Sequence, residues 1–192
     1  MTGENGELRN MEENYWFDEF GNKLEGPAEG AFFAPMRIRS ASSSGVPREV
    51  ISRLKFDYPS LKVVDGHNTE TTNGVLVINL PGVLSHHDDS QVMYKLVIDV
   101  RDFPHAKPQA FVFTPSCNEI QHCNIFTMKP YSLWPNRHLC AVCEGIETAD
   151  AWVSFKARAS FSGDAINLFG NWLNQLCHVL NNPNPDDPAR EV

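Results

Sequence analysis

The spacing of apolar and polar residues changes along this chain, and the changes mark its elements. Over Val46–Leu54 (VPREVISRL), Val50, Ile51 and Leu54 share one helical face and Pro47 suits a first turn, so the pattern predicts an opening helix. Gly74–Leu80 (GVLVINL) is an apolar run of strand length, and Pro81-Gly82 predicts a turn after it. His86–Ser90 (HHDDS) is polar and reads as a hairpin tip. Met93–Val100 (MYKLVIDV) and Gln109–Thr114 (QAFVFT) predict a second and a third strand, joined by a link that Phe103, Pro104 and Pro108 stiffen. Periodicity is lost from Pro115 to Asp150. It returns over Asp164–Leu180 (DAINLFGNWLNQLCHVL), where Ile166, Phe169, Leu173, Leu176 and Leu180 fall on or near one helical face and Pro183 stops the helix. Helix, three-strand meander, irregular loop and helix together predict an α+β fold. In it, an antiparallel meander sheet carries an N-terminal and a C-terminal helix on one face. A parallel doubly wound sheet would need a helix between strands, and none fits there.

Residues 1–45 depart from this pattern. They are rich in Gly, Glu, Asn and Ser and end in Ser40–Gly45 (SASSSG), so they read as an extension that is partly ordered at most, with the domain proper over 46–192. Within the extension Tyr15, Trp16, Phe17, Phe20, Phe32 and Phe33 are apolar anchors that either pack on the domain or dock on a partner. With 192 residues, 42% of them hydrophobic, the chain can bury one core and still carry such a tail. The net charge of -8, with no long basic stripe, argues against a nucleic-acid partner. No apolar run is long enough for a membrane helix, and the start MTGENGELRN lacks the basic-then-apolar pattern of a secretory signal. A cytoplasmic setting follows as an expectation, with the five cysteines mostly reduced.

Four of those cysteines lie in the irregular stretch, and the residues around them carry a resemblance. Phe103–Asn124 (FPHAKPQAFVFTPSCNEIQHCN) resembles the core of ubiquitin-conjugating enzymes. There a Tyr/Phe-Pro and further prolines precede a strand, and a His-Pro-Asn triplet follows. Here the triplet reads His122-Cys123-Asn124, and Leu139-Cys140-Ala141 stands where the family has its active cysteine in an Ile/Leu-Cys-Leu setting. Trp152 follows at a similar distance. Asn182-Pro183-Asn184-Pro185-Asp186-Asp187-Pro188 matches the Asp-Pro-Asn-Pro-Asp-Asp-Pro at the family's helix end. Each element is weak alone; their order over about residues 46–188 carries the likeness. The chain also departs from the family. Cys140 follows Asn124 by 16 positions, a wider gap than the family's, with an insertion over Phe126–Arg137. Cys123 replaces the triplet's proline, the Gly-Gly before the second strand is absent, and the family's last helices have no counterpart. The short C-terminal part and divergent strands are similar to bacterial relatives, some of them in antiphage (CBASS-type) operons beside a cGAS-like nucleotidyltransferase.

The resemblance implies a UBC-like fold and a transferase. Cys140 would take an activated C-terminal carboxyl as a thioester and pass it to a lysine amine. The modifier would be a ubiquitin-like protein or the C-terminus of a partner such as the nucleotidyltransferase. No nucleotide-binding glycine loop is present, so an activating enzyme or another energy source is implied, and no cofactor or metal. By the same likeness Asn124 stabilises the oxyanion, an effect on the order of 3 kcal/mol where an amide does so, or orders the loop that does. Asp187, with Asp186 beside it, helps the lysine lose its proton. His122 holds the loop by hydrogen bonds rather than acting as a base.

The residues leave further readings open. Arg137 and His138 favour the Cys140 thiolate. Cys143, in a Cys-x-x-Cys with Cys140, is a passive neighbour, a resolving thiol under oxidation, or half a zinc site completed by Cys117, Cys123, His122 or His138. The untidy Cys117-x5-Cys123 spacing ranks zinc below the thioester. A non-catalytic UBC-like binding module with a Cys/His zinc site is therefore the alternative function. Cys177 reads as core, Trp134 and Trp172 as packing anchors, and His86-His87-Asp88-Asp89 as a solvated turn. A cysteine-protease reading of Cys140 with His122 or His138 and Asn124 lacks the local signatures.

Overall fold

The structure, a computed structural model, describes residues 14–17, 23–24, 32–35, 44–67, 71–127, 139–159 and 165–186. In the N-terminal part, β1 (Asn14–Phe17), β2 (Lys23–Leu24) and β3 (Phe32–Pro35) form an antiparallel sheet of their own in the order β2-β1-β3. Trp16 pairs with Phe33 and Phe17 with Phe32, so Tyr15, Trp16, Phe17, Phe32 and Phe33 fall in strands, as their β preference favours, and Phe20 lies outside the described residues.

The main part runs β4 (Val46–Pro47), α1 (Arg48–Asp57), β5 (Lys62–His67), β6 (Thr71–Ser85), β7 (Asp88–Asp99) and β8 (Gln109–Thr114). A 3-10 turn (Cys117–Glu119), β9 (Ile125–Thr127), β10 (Cys140–Val142), α2 (Ala149–Ala159) and α3 (Ala165–Asn181) follow. Seven strands form one antiparallel sheet in the order β4-β6-β7-β8-β10-β9, with β5 paired to β6. Its centre reads as continuous apolar runs because both faces are buried. Leu76, Ile78, Leu80, Leu96, Ile98 and Val112 share one cluster with Val50, Ile51 and Leu54 of α1 and with Phe169, Trp172, Leu173, Leu176 and Leu180 of α3. Val75, Val77, Val97, Phe111 and Phe113 fall in a second cluster on the opposite face. Both helices thus lie on one face of a meander sheet, and the α+β class stands.

Several elements differ from the sequence expectation. Val46-Pro47 pairs with Thr71 and Thr72 as a strand, so the first helix starts at Arg48. β5, the β9–β10 hairpin and α2 had no clear period of their own. The strand expected to turn at Pro81-Gly82 runs on to Ser85, with Pro81 opposite Met93 and Gly82 opposite Val92. Gly82 serves close approach, not a turn: a Cβ there would stand 2.8 Å from the Leu180 carbonyl oxygen and 2.9 Å from a ring carbon of Tyr94. The hairpin passes under the end of α3 at that point, and backbone and a packed ring leave little room to yield. Gly82→Ala is expected to cost about 1–3 kcal/mol by overpacking, read as a lowered urea midpoint at unchanged slope.

The chain turns at His86-His87. His86 Nδ1 lies 3.1 Å from the Gln121 carbonyl oxygen, and the Gln121 N–H donates to Leu84 O at 2.8 Å, so the tip is fastened to the loop before β9. Behind the sheet, Phe103 meets Phe169 edge-on at 5.6 Å and the Trp152 indole N–H donates to Pro104 O at 3.0 Å. The proline link therefore anchors α2 and α3 together. No helix among the described residues is long and apolar enough to cross a membrane.

Candidate functional site

Two of the segments that carry the resemblance, the triplet and the Asn-Pro-Asn-Pro run, meet at the mouth of the β9–β10 hairpin, and Cys140 lies farther along it, opposite Thr127. His122 is fully buried. Its Nδ1 accepts the Asn124 N–H at 3.1 Å, and its Nε2 lies 3.3 Å from the Leu180 carbonyl oxygen at the end of α3. A carbonyl only accepts, so the neutral Nε2–H tautomer satisfies both contacts, and each ring nitrogen is engaged. Asn124 is 3% exposed, and its Oδ1 accepts the backbone N–H of Asn184, 60 residues on, at 2.8 Å. The Cys123 thiol donates to the same oxygen at 3.5 Å. Asn184 in turn accepts the Asp186 N–H through its side chain at 3.1 Å, which shapes the exposed turn after α3. The Asn124 carbonyl group is thus a tether between the triplet and the Asn-Pro-Asn-Pro segment. Asp187, His138, Arg137 and Trp134 lie outside the described residues.

Cys140 is placed otherwise than its expected reactivity requires. It pairs with Thr127 on β9 and with Val112 on β8, so strand neighbours stand on both sides. Side chains alternate along β10: Leu139 and Ala141 belong to the outer cluster, while Cys140 and Val142 point to the helix face. The Cys140 side chain is 3% exposed. It is also oxidised, in a disulfide with Cys117, with the two Cα atoms 5.9 Å apart. Cys117 reaches that face from the 3-10 turn, whose start is fixed by the Ser116 N–H donating to the Glu119 carboxylate at 2.8 Å. The bridging partner is Cys117, not Cys143, and the other three cysteines lie outside the bridge. A one-dimensional spacing rule favours Cys-x-x-Cys; the sheet instead turns Cys140 toward the segment across it.

Of the cysteines outside the bridge, Cys123 and Cys143 are buried, and the Cys143 N–H donates to Asn124 O at 2.7 Å, closing the hairpin mouth. Cys177, on α3, lies 3.9 Å from the Tyr58 hydroxyl, and burial raises its thiol pKa, which keeps it unreactive. Trp172 is buried and stacked on Phe169 at 5.7 Å.

Sequence reasoning missed a charged cluster on the loop after β10. Glu144 is 1% exposed; its Oε2 pairs with Lys107 Nζ at 2.5 Å, and the same ammonium reaches Glu147 at 3.2 Å. Burial pushes the Glu144 carboxyl up to about 7, against the pull of Lys107. Burial also works against the Lys107 ammonium, but the two carboxylates outweigh it and raise its pKa. Nothing in the periodicity marks Glu144 as buried, because it sits where the pattern is irregular. The folded carboxyl keeps its proton to higher pH than an ordinary one at 4.5, so the folded state binds more protons between about 4.5 and about 7. Stability contributed by this group is therefore full below that window and lost as pH rises through it, by on the order of 3 kcal/mol at most. Urea titrations at both ends of the window should show that loss in the wild type and a flatter difference in Glu144→Gln.

No known protein family, curated protein or solved structure matches this chain.

Proposed function

We propose that the chain is a ubiquitin-conjugating-like transferase of UBC-like fold. It carries an acyl group as a thioester on Cys140 and hands it to a lysine amine of a target protein. The observation that carries this reading is the Asn124–Asn184 hydrogen bond: it joins two of the resembling segments at the mouth of the hairpin that bears the third.

The chemistry needs Cys140 reduced. A cellular dithiol first attacks the Cys117–Cys140 bridge, is itself oxidised, and leaves both cysteines as thiols. The Cys140 thiolate then attacks an activated C-terminal carbonyl and displaces its leaving group. A lysine amine attacks the thioester, the Cys140 thiolate departs, and the amine's proton is lost as the isopeptide forms. Asn124 and His122 order the loop at the mouth of the hairpin that bears Cys140, and Asp187 orients the lysine. Cys143 and His138 are auxiliary. A reducing cytoplasm suits this cycle, as does a bacterial antiviral operon supplying an activating enzyme and either a ubiquitin-like modifier or a cGAS-like nucleotidyltransferase C-terminus.

The burial of Cys140 favours a second reading, a non-catalytic UBC-like binding module; the zinc site of that reading would have to draw on residues such as His138, since no group of three His, Cys, Asp or Glu placed to hold a metal ion occurs among the described residues. One comparison separates them. After reduction, the transferase alkylates rapidly at Cys140 and carries no stoichiometric metal; the module alkylates slowly and carries zinc. Slow alkylation with bound zinc would end the transferase reading.

A further inference from the structure

We infer that Cys117 is a modification site for small monothiols: they attack its sulfur in the bridge, stay on it as a mixed disulfide, and release Cys140 as the leaving thiolate. The inference rests on the bridge alone, whichever reading of Cys140 holds.

The two sulfurs of a disulfide are alike in bonding, so their surroundings decide which one a thiolate attacks. For Cys140 the surroundings are core. Its side chain is 3% exposed, Thr127 and Val112 pair with it from the strands on either side, and it clusters with Ile125, Val142 and Ile146. A nucleophile reaches that sulfur only after the sheet opens locally. Cys117 sits at the edge of the same cluster, on the 3-10 turn, and is part-exposed. Ser116, Asn118 and Glu119 around it are all exposed, so the sulfur that solvent can meet is the one on the turn.

The turn also keeps its shape without the bridge. The Ser116 N–H and hydroxyl donate to the Glu119 carboxylate at 2.8 and 3.1 Å, the Glu119 N–H donates to Ser116 O at 3.0 Å, and the Gln121 N–H ties the next residues to Leu84. Opening the bridge therefore leaves Cys117 close to where it was, with its new partner on the solvent side.

The step balances. A thiolate forms a new S–S bond to Cys117 Sγ as the Cys117–Cys140 bond breaks, and the electron pair of that bond leaves on Cys140, which takes a proton from water. One disulfide replaces another, so no outside oxidant or reductant is needed. The step reverses when the Cys140 thiolate attacks Cys117 and expels the monothiol. The concentration of monothiol thus sets how much of the protein carries Cys140 as a thiol, and Cys117 is the residue that carries the adduct.

The test maps the attacked sulfur in the native, oxidised full chain. Glutathione is the monothiol probe. Excess sulfite is the second probe: it opens a disulfide in the same way, leaves an S-sulfonate on the sulfur attacked, and opposes reclosing by its excess. Each reaction is stopped with acid, the remaining thiols are alkylated with N-ethylmaleimide, and mass-spectrometric fragmentation of the peptides locates each label. Glutathione and sulfonate should sit on Cys117 and maleimide on Cys140, at least about tenfold over the reverse arrangement, because attack on Cys140 waits for a local opening. In denaturant the two arrangements should come near parity. Label mainly on Cys140, or shared evenly in the native protein, would overturn the inference. So would the same bias in denaturant, which would place its cause in the neighbouring residues rather than in burial, or a native bridge that sulfite does not open.

Discussion

Cys140→Ala should abolish any covalent adduct between the reduced protein and its modifier, and Cys140→Ser should replace a reducible adduct by a hydroxylamine-stable ester or by none. The reason is chemical. A thiolate is both a good nucleophile and a good leaving group, so the wild-type adduct is made readily and lost readily. A serine hydroxyl at the same place stays protonated and is a poorer nucleophile, and its alkoxide leaves less easily. Mass spectrometry of the complex, formed with the activating partner present, reads the result directly: a mass increment that dithiothreitol removes in the wild type and that is missing in Cys140→Ala. An increment unchanged in Cys140→Ala would place the chemistry on another residue. The substitution also removes the bridge to Cys117, so its circular dichroism melt is compared with that of the reduced wild type, which lacks the bridge as well; loss of the adduct is then separated from loss of structure.

The second large effect concerns the bridge that closes this thiol. Five cysteines with one disulfide leave three outside it, Cys123, Cys143 and Cys177. Unfolded in denaturant without reductant, the wild type should therefore titrate three thiols, and Cys117→Ser should titrate four. The same substitution should make Cys140 available for charging without any reductant, where the wild type is inert. It should also lower stability by about 3 kcal/mol, since a bridge closing a loop of this length restricts the unfolded chain by that much. Five thiols in the wild type would mean that the thiol is held open in solution, and the reduction step would then drop out of the proposed cycle. The two predictions are independent: the first asks which sulfur does the chemistry, the second asks what keeps it closed.

The fold's layout was legible because its signals are local. Val50, Ile51 and Leu54 on α1, and Phe169, Leu173, Leu176 and Leu180 on α3, repeat at helical spacing, and the three apolar runs of β6, β7 and β8 have strand length. What failed was punctuation. Pro81-Gly82 looks like a turn in isolation, but the pair sits in the middle of a 15-residue strand because Gly82 must pass the end of α3. No window of neighbouring residues contains Leu180, so no local rule finds that reason.

The same division holds at the candidate site. By itself the sequence determined only which residues are candidates to carry chemistry, Cys140, His122, Asn124 and the Asn-Pro-Asn-Pro-Asp-Asp-Pro segment, and in what order they come. Only the tertiary structure decided their state. The pleat of β10 turned Cys140 inward to Cys117, the tether from Asn124 to Asn184 was drawn across 60 residues, and Glu144 was sunk beside Lys107 with one oxygen unpaired. Residue type fixes what a group can do; burial, partners and redox state depend on which distant segment the packing brings against it.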